Sequence, residues 1–279
     1  MREITNELIH SFKIYLIEEE KSENTMEKYI RDVTFFMIWL GGREATKILA
    51  LEYKKKLCEK YASSSVNAAM SSLNSFFAFI GWRDIRIKAL KIQRQIFSNK
   101  DKELTKAEYE RLLSAAKIKK NERLYLLMQT ICSTGIRVSE LRFVTCEALK
   151  KGQAVISCKG KMRTIFLPKE LCKMLKEYVK KQGIKDGSVF VSRNGKPLDR
   201  SYIWKMLKSL CEAAGVSKDK VFPHNLRHLF ARTYYSLQKD IVRLADILGH
   251  SSIETTRIYT IETADTCRRQ IQKLGLLRC

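Results

Sequence analysis

Apolar side chains recur at three- and four-residue steps along most of this 279-residue sequence, a spacing that predicts amphipathic helices. The period changes in one part of the chain, where two short β-type runs, 154–156 and 164–167, flank the turn 159–161 and predict a hairpin. The run 189–191 is a candidate third strand. The sequence therefore predicts a mainly α protein with a small antiparallel β-sheet.

The pattern also predicts two domains. Residues 1–90 read as four amphipathic helices, enough to enclose a small independent core. Residues 91–103 are charged and weakly periodic, which is typical of a linker. A second, mostly α domain is expected at 104–279, and it also contains the hairpin. Helices are expected there at about 199–214, 224–236, 240–248 and 251–258, with another near the C-terminus.

Charge indicates a polyanionic partner. The chain has 53 Lys and Arg against 30 Asp and Glu, a net charge of +23. The first 100 residues hold 17 basic and 12 acidic side chains, so most of the excess lies in the second domain. DNA, RNA or an anionic lipid surface could each bind a chain with such an excess of positive charge. The alternative is an ordinary lysine-rich surface exposed to solvent.

The cysteines and the apolar runs favour a soluble cytoplasmic protein. The eight cysteines form no C-x-x-C pair, which argues against a zinc site and for reduced thiols. No apolar run is long enough to cross a bilayer, and the N-terminus has no signal-peptide pattern. We therefore expect no membrane partner.

Six residues of the second domain form a set with one chemistry. They are Arg137, Lys159, His224, Arg227, His250 and Tyr259. Guanidinium groups bind a phosphodiester in a bidentate manner and stay protonated. A tyrosine hydroxyl can attack phosphorus, and a lysine ammonium can protonate the leaving 5′ oxygen. The set predicts DNA cleavage through a covalent tyrosine intermediate, without metal, ATP or another cofactor.

Local patterns bring members of the set together. His224 and Arg227 are three residues apart and share one helical face. Gly249 can end a helix in the left-handed conformation, and Ser251-x-x-Glu254 fits a capping box for the next helix. His250 would then lie in a turn between two helices and could meet Tyr259. Each residue alone has a commoner structural role: Arg137, for example, could pair with Glu140.

The strings TGIRVSEL (134–141), HNLRH (224–228) and LGHSSIETTRIYT (248–260) resemble the tyrosine recombinase, or phage integrase, family. In size and layout the chain is similar to its Xer-type members. The separations of 23 residues between Arg227 and His250, and of 9 between His250 and Tyr259, fit the family.

The resemblance implies that 1–90 is a core DNA-binding domain and 104–279 a catalytic domain, which together clamp duplex DNA. Four protomers, or a mixture with a second recombinase subunit, would hold two core recombination sites. Cleavage would leave a 3′-phosphotyrosine at Tyr259, and strand exchange would pass through a Holliday junction. A C-terminal helix at about 263–276 would dock on the neighbouring protomer.

The resemblance also implies a role for each residue of the set. Arg137 and Arg227 would clamp the scissile phosphate, with His224 and His250 assisting by hydrogen bonding and proton transfer. The family's hairpin usually reads K-G-x-K-x-R, whereas residues 159–163 read KGKMR, one residue shorter. We assign the general acid to Lys159, with Lys161 as the alternative. His228 is assigned a packing or orienting role.

Two other functions fit parts of the sequence. A type IB topoisomerase shares this chemistry but relaxes supercoils alone, and an inert DNA-binding module would keep the fold without the reaction. The first predicted helix begins at about residue 4, so we expect no separate arm-binding domain before it. Chromosome dimer resolution, DNA inversion and compact mobile elements all remain open as biological roles.

Overall fold

A computed structural model describes residues 2–92, 100–158, 161–260, 268 and 271–273. The chain forms two compact units, 1–94 and 95–279. The domain bounds 1–90, 91–103 and 104–279 stay a prediction. The mainly α fold class, with one small antiparallel sheet, is confirmed. No helix within the described ranges is long and apolar enough to cross a membrane.

The first unit contains the four predicted helices. They are α1 (Asn6–Glu18), α2 (Glu23–Leu40), α3 (Lys47–Lys60) and α4 (Ser63–Phe79). Thr5 and Thr46 cap α1 and α3 by accepting backbone N–H bonds, and α2 ends at Gly41 in the left-handed conformation. Aromatic side chains dominate the buried core, as Phe12 and Phe76 show with rings packed edge to face at 5.2 Å.

The second unit begins with a 3-10 turn at Lys100–Lys102 and continues through nine α-helices and two strands among its described residues. The helices are α5 (Lys106–Ile118), α6 (Glu122–Thr134), α7 (Cys146–Lys151), α8 (Lys169–Gln182), α9 (Arg200–Lys208), α10 (Cys211–Ala214), α11 (Pro223–Gln238), α12 (Ile241–Leu248) and α13 (Ile253–Thr256). A capping box formed by Thr105 and Glu108 opens α5. The predicted helix 199–214 is interrupted between α9 and α10.

The predicted hairpin forms from β1 (Gln153–Cys158) and β2 (Lys161–Phe166), which pair antiparallel. The candidate third strand at 189–191 is wrong. Val191 forms an isolated bridge with Pro197, and neighbouring Ser188 bridges to Thr145. These are isolated bridges to two different segments, so 189–191 does not form a strand and does not join the β1–β2 sheet.

The core of the second unit holds α11 against α6, and this contact places the site. Gly135 ends α6 with φ +66°, and a Cβ there would lie 2.4 Å from the ring of Phe230 on α11. Glycine is thus required both by the backbone conformation and by the close approach of α11. Beyond Gly135 the chain leaves α6 in the direction that places Arg137 beside α11.

Candidate active site

Arg227 lies at the centre of the site and is 1% exposed. Its helix, α11, begins at Pro223, whose fixed φ suits the first turn. The guanidinium donates to Gly135 O at 2.5 Å and to Leu248 O at 2.7 Å, and its Nη2 lies 3.1 Å from His250 Nε2. Burial, followed by the Arg137 charge, lowers the pKa of Arg227 to about 10, so the group stays cationic at neutral pH.

Arg227 has no carboxylate hydrogen-bond partner within the described part of the chain, where its hydrogen bonds go to carbonyl oxygens, the His250 imidazole and the Tyr259 hydroxyl. Its Nε is buried and has no hydrogen-bond partner there. A buried charge is costly unless an opposite charge accompanies it. The buried Arg227 cation therefore favours the binding of an anion at the site.

Arg137 is the N-cap of a 3-10 helix, Val138–Phe143, that follows the α6 terminus. Its Nη1 donates to Glu140 Oε1 at 2.9 Å and its Nη2 to Gly249 O at 3.3 Å. Arg137 therefore makes the structural pair foreseen from its sequence neighbourhood. It still leaves 39% of its side chain exposed at the edge of the site.

Glu140 and Arg163 also belong to the site, although neither is among the six residues predicted from the sequence. The buried Glu140 carboxylate accepts from Arg137 and also from Arg163 Nη2 at 2.5 Å. Burial acts to raise the pKa of Glu140, but the Arg137 backbone N–H and the Arg163 and Arg137 charges outweigh it, so the pKa is lowered. Arg163 also donates to Ile247 O.

A glycine brings Arg163 close to the His250 turn. Gly249 ends α12 with φ +63°, and a Cβ there would lie 2.4 Å from Arg163 Cδ. The side chain of Arg163, which comes from β2, thus lies directly over the glycine. The arginine at the end of the family's hairpin pattern was the sequence signal that could have identified it.

His250 lies in the turn between α12 and α13, as predicted. The capping box at Ser251 is wrong: Ser252 is the N-cap and accepts from Glu254 N–H at 3.2 Å, because the turn after Gly249 extends one residue further. His250 Nδ1 lies 2.9 Å from the buried hydroxyl of Thr256. Burial, then the charges of neighbouring arginines, Arg227 first, lower the pKa of His250 to about 4.

Tyr259 closes a 3-10 turn, Arg257–Tyr259, directly after α13, and is 5% exposed. Its ring is nearly parallel to that of His250, with centroids 6.3 Å apart. Burial raises the pKa of the phenol, whereas the charge and hydrogen bonding of Arg227 oppose the rise. The neighbouring cations therefore act to lower the pKa of Tyr259, but burial outweighs them in this arrangement.

His224 and His228 occupy successive turns of α11, with ring centroids 4.3 Å apart. His224 lies at the helix start and is exposed, but the protein atoms around its ring displace part of the surrounding water. This desolvation, followed by the charges of Arg227 and Arg137, lowers its pKa. His228, assigned only a packing or orienting role from sequence, contacts Tyr259 edge to face at 5.0 Å. It is thus adjacent to the nucleophile candidate.

The structure brings together five of the six predicted residues. Contacts run from Arg137 through the Gly249 carbonyl to the His250 turn, and from His250 to Arg227 and Tyr259. His224 is linked to Tyr259 through the ring of His228. Lys159 lies outside the described residues, at the tip of the β1–β2 hairpin in sequence. The catalytic roles of all six remain a prediction.

The arrangement combines two guanidiniums, neutral imidazoles and a phenol around one space. Guanidiniums stabilise charge on phosphoryl oxygens, and neutral imidazoles can donate or accept a hydrogen bond. Within the described ranges, no three His, Cys, Asp or Glu side chains are grouped as a metal site requires. The chemistry that these side chains can perform is nucleophilic attack on a phosphodiester.

Comparisons with known proteins agree with this geometry. Residues 102–265 match the phage integrase family model, and 9–84 match the model of the phage integrase N-terminal SAM-like domain. Tyrosine recombinase XerA of Pyrococcus furiosus is 32% identical, with 99% of this chain and 98% of the relative covered.

Solved structures share the fold. A crystal structure of XerA recombinase is 28% identical with a TM-score of 0.52, covering 99% of this chain and 100% of the other. A XerH site-specific recombinase bound to a palindromic difH substrate is 21% identical with a TM-score of 0.72, covering 88% and 78%. The chain therefore belongs to the phage integrase family and is a tyrosine recombinase.

Proposed function

We propose that this protein binds duplex DNA at core recombination sites and exchanges strands there through a covalent intermediate on Tyr259. The observation that carries the proposal is the buried Arg227, which has no carboxylate partner among the described residues and retains a free Nε donor. A phosphodiester oxygen supplies the missing anion. The basic excess of the chain adds a favourable, salt-dependent attraction to DNA.

In the reaction, the phenol oxygen of Tyr259 attacks the scissile phosphorus and the bond to the 5′ oxygen breaks. Arg137 and Arg227 bind the non-bridging oxygens, on which charge develops. His224 and His250 donate or accept hydrogen bonds and assist proton transfer, and Lys159 protonates the leaving 5′ oxygen. The product is a 3′-phosphotyrosine and a free 5′ hydroxyl.

Recombination follows when that 5′ hydroxyl attacks the phosphotyrosine of a partner duplex, which restores a phosphodiester and frees Tyr259. Two such exchanges on one strand pair give a Holliday junction, and a second pair resolves it. This scheme requires four protomers on two sites, either copies of this chain or a mixture with a second recombinase subunit. We place this activity in the cytoplasm, on the nucleoid.

Covalent trapping tests the proposal. The purified chain is mixed with a library of duplexes, each nicked close to one strand position so that the released fragment diffuses away. We expect DNA-linked protein enriched in one recurrent sequence, with no added metal or ATP. Absence of adduct would leave only a DNA-binding module, and adduct without sequence preference would indicate a topoisomerase-like transferase.

A further inference from the structure

His228 lies directly against Tyr259, outside the six predicted residues. The two ring centroids are 5.0 Å apart and the planes meet at 83°, an edge-to-face contact. On its other side the His228 ring contacts His224 at 4.3 Å. His228 therefore bridges the start of α11 and the nucleophile candidate.

The ring nitrogen Nε2 of His228 is buried and has no hydrogen-bond partner in the described part of the chain. An unsatisfied buried polar atom destabilises a fold, and a phenylalanine would fill the same space without that penalty. If packing were its only role, the His228 imidazole would therefore make the fold less stable than a phenylalanine would. Its ring packs against the ring of Tyr259, whose hydroxyl group can donate a hydrogen bond.

His228 is neutral. Burial, followed by the charges of His224, Arg232 and Arg227, lowers its pKa to about 3. A neutral imidazole has one nitrogen that accepts and one that donates a hydrogen bond. Such a ring can hold a phenol hydroxyl without adding positive charge to the site.

We propose that His228 is a positioning residue for Tyr259: its Nε2 accepts a hydrogen bond from the phenol hydroxyl as the ring turns towards the scissile phosphate. The hydrogen bond fixes the phenol rotation, so that an oxygen lone pair faces phosphorus. The proton does not transfer to His228, because so weak a base cannot compete for it. This role rests on the proposed strand-cleavage function and adds a residue to it.

The test compares three substitutions on the nicked duplex recovered by covalent trapping. His228→Phe keeps a ring and removes the nitrogen, His228→Gln keeps a polar atom near the Nε2 position, and His228→Ala removes both. Tyr234→Ala is the matched control, because Tyr234 packs in the same small cluster as Tyr259. Three quantities are measured: the single-turnover rate of adduct formation, the DNA affinity and the Tm.

We expect His228→Phe and His228→Ala to slow adduct formation about tenfold or more, the effect of losing one useful hydrogen bond in a transition state. His228→Gln should stay within about threefold of wild type, and DNA affinity should be unchanged in all three. Tyr234→Ala should lower the Tm and leave the cleavage rate nearly unchanged.

A wild-type rate for His228→Phe would overturn the inference, and so would equal losses for Gln, Phe and Ala, since the nitrogen would then not matter. If His228→Phe does not unfold cooperatively, His228→Asn replaces it, because the shorter asparagine side chain cannot reach the Nε2 position. Equal rates for His228→Asn and His228→Gln would then contradict the proposal. Absence of adduct with the wild-type chain would instead contradict the proposed function itself.

Discussion

Arg227 Nη2 lies 3.1 Å from His250 Nε2, so a buried cation on α11 and an imidazole in the turn between α12 and α13 meet at the centre of the site. Burial, followed by the charge of Arg227, keeps the His250 imidazole neutral, and the imidazole supplies no opposite charge to the guanidinium. At neutral pH the guanidinium can therefore bind a phosphoryl group that carries one or two negative charges, and the imidazole can donate or accept a hydrogen bond.

The first prediction concerns pH. The pKa of His250 is about 4 in the folded chain, against 6.5 for an ordinary histidine, so between these pH values the unfolded chain binds a proton that the folded chain does not. The contribution of neutral His250 to the free energy of unfolding is therefore fully present above pH 6.5, and it is lost as the pH falls towards 4. Replacing His250 with Gln should reduce this loss by roughly 1–2 kcal/mol, discounted for partial exposure.

Denaturant unfolding at several pH values between 4 and 7.5 measures this difference. His228 contributes a loss of the same sign in both proteins, because its pKa is also lowered. A His250→Gln variant whose stability falls with acid as steeply as that of wild type would contradict the assignment.

The second prediction concerns Glu140, whose side chain is 5% exposed between Arg137 and Arg163. Glu140→Gln removes the charge that both guanidiniums share, and breaking a buried pair in this way costs about 3 kcal/mol. Adduct formation should also fall, because Arg137 loses its orientation. Calorimetric Tm and the cleavage rate measure the two effects.

Glu147→Gln is the control for Glu140. The side chains of the Glu147–Lys151 pair are 73% and 62% exposed, and solvent screening leaves such surface pairs with little effect on stability. Equal Tm losses for the two variants would show that Glu140 does not organise the site.

The third prediction separates backbone strain from site geometry. Gly249→Ala and Gly152→Ala both place a side chain at a left-handed position, with φ +63° and +70°. Each should lose about 1 kcal/mol of stability for that reason. In addition, the Cβ at 249 meets Arg163, whereas nothing lies within 4 Å of the one at 152.

We therefore expect Gly249→Ala to reduce adduct formation at least tenfold, with Gly152→Ala close to wild type. The comparison uses single-turnover cleavage at equal fractions of folded protein. Matching rates in the two variants would mean that displacing Arg163 has no effect on catalysis.

The fourth prediction identifies the general acid. Lys159→Ala should slow cleavage about 100-fold, within the usual range for loss of acid catalysis, and Lys161→Ala should have little effect. A substrate with sulfur in place of the bridging 5′ oxygen needs no proton on its leaving group, so it should restore the rate of Lys159→Ala. The opposite result for the two lysines would assign the acid to Lys161.

The sequence predicted the features of the site that depend on short-range patterns. Gly249 indicated where a helix ends, and the spacing of His224 and Arg227 indicated a shared helical face. These relationships depend on backbone geometry within a few residues, so they could be inferred before the fold was known.

The remaining features depend on contacts between distant segments. Arg163 reaches Glu140 across 23 positions and Ile247 across 84, and no local pattern encodes either contact. The burial that raises the pKa of Tyr259 arises only when α11, α12 and the final turn pack together. The contact of His228 with Tyr259 depends on the same packing.

The central claim is that Tyr259 is the nucleophile, and the most direct test is to locate the DNA on the protein. After trapping on the nicked duplex, nuclease and protease digestion leaves a nucleotide-linked peptide whose modified residue is read by mass spectrometry. We expect the nucleotide on Tyr259, and we expect Tyr259→Phe to bind the duplex with wild-type affinity and form no adduct. A nucleotide on any other residue, or an adduct formed by Tyr259→Phe, would contradict the mechanism.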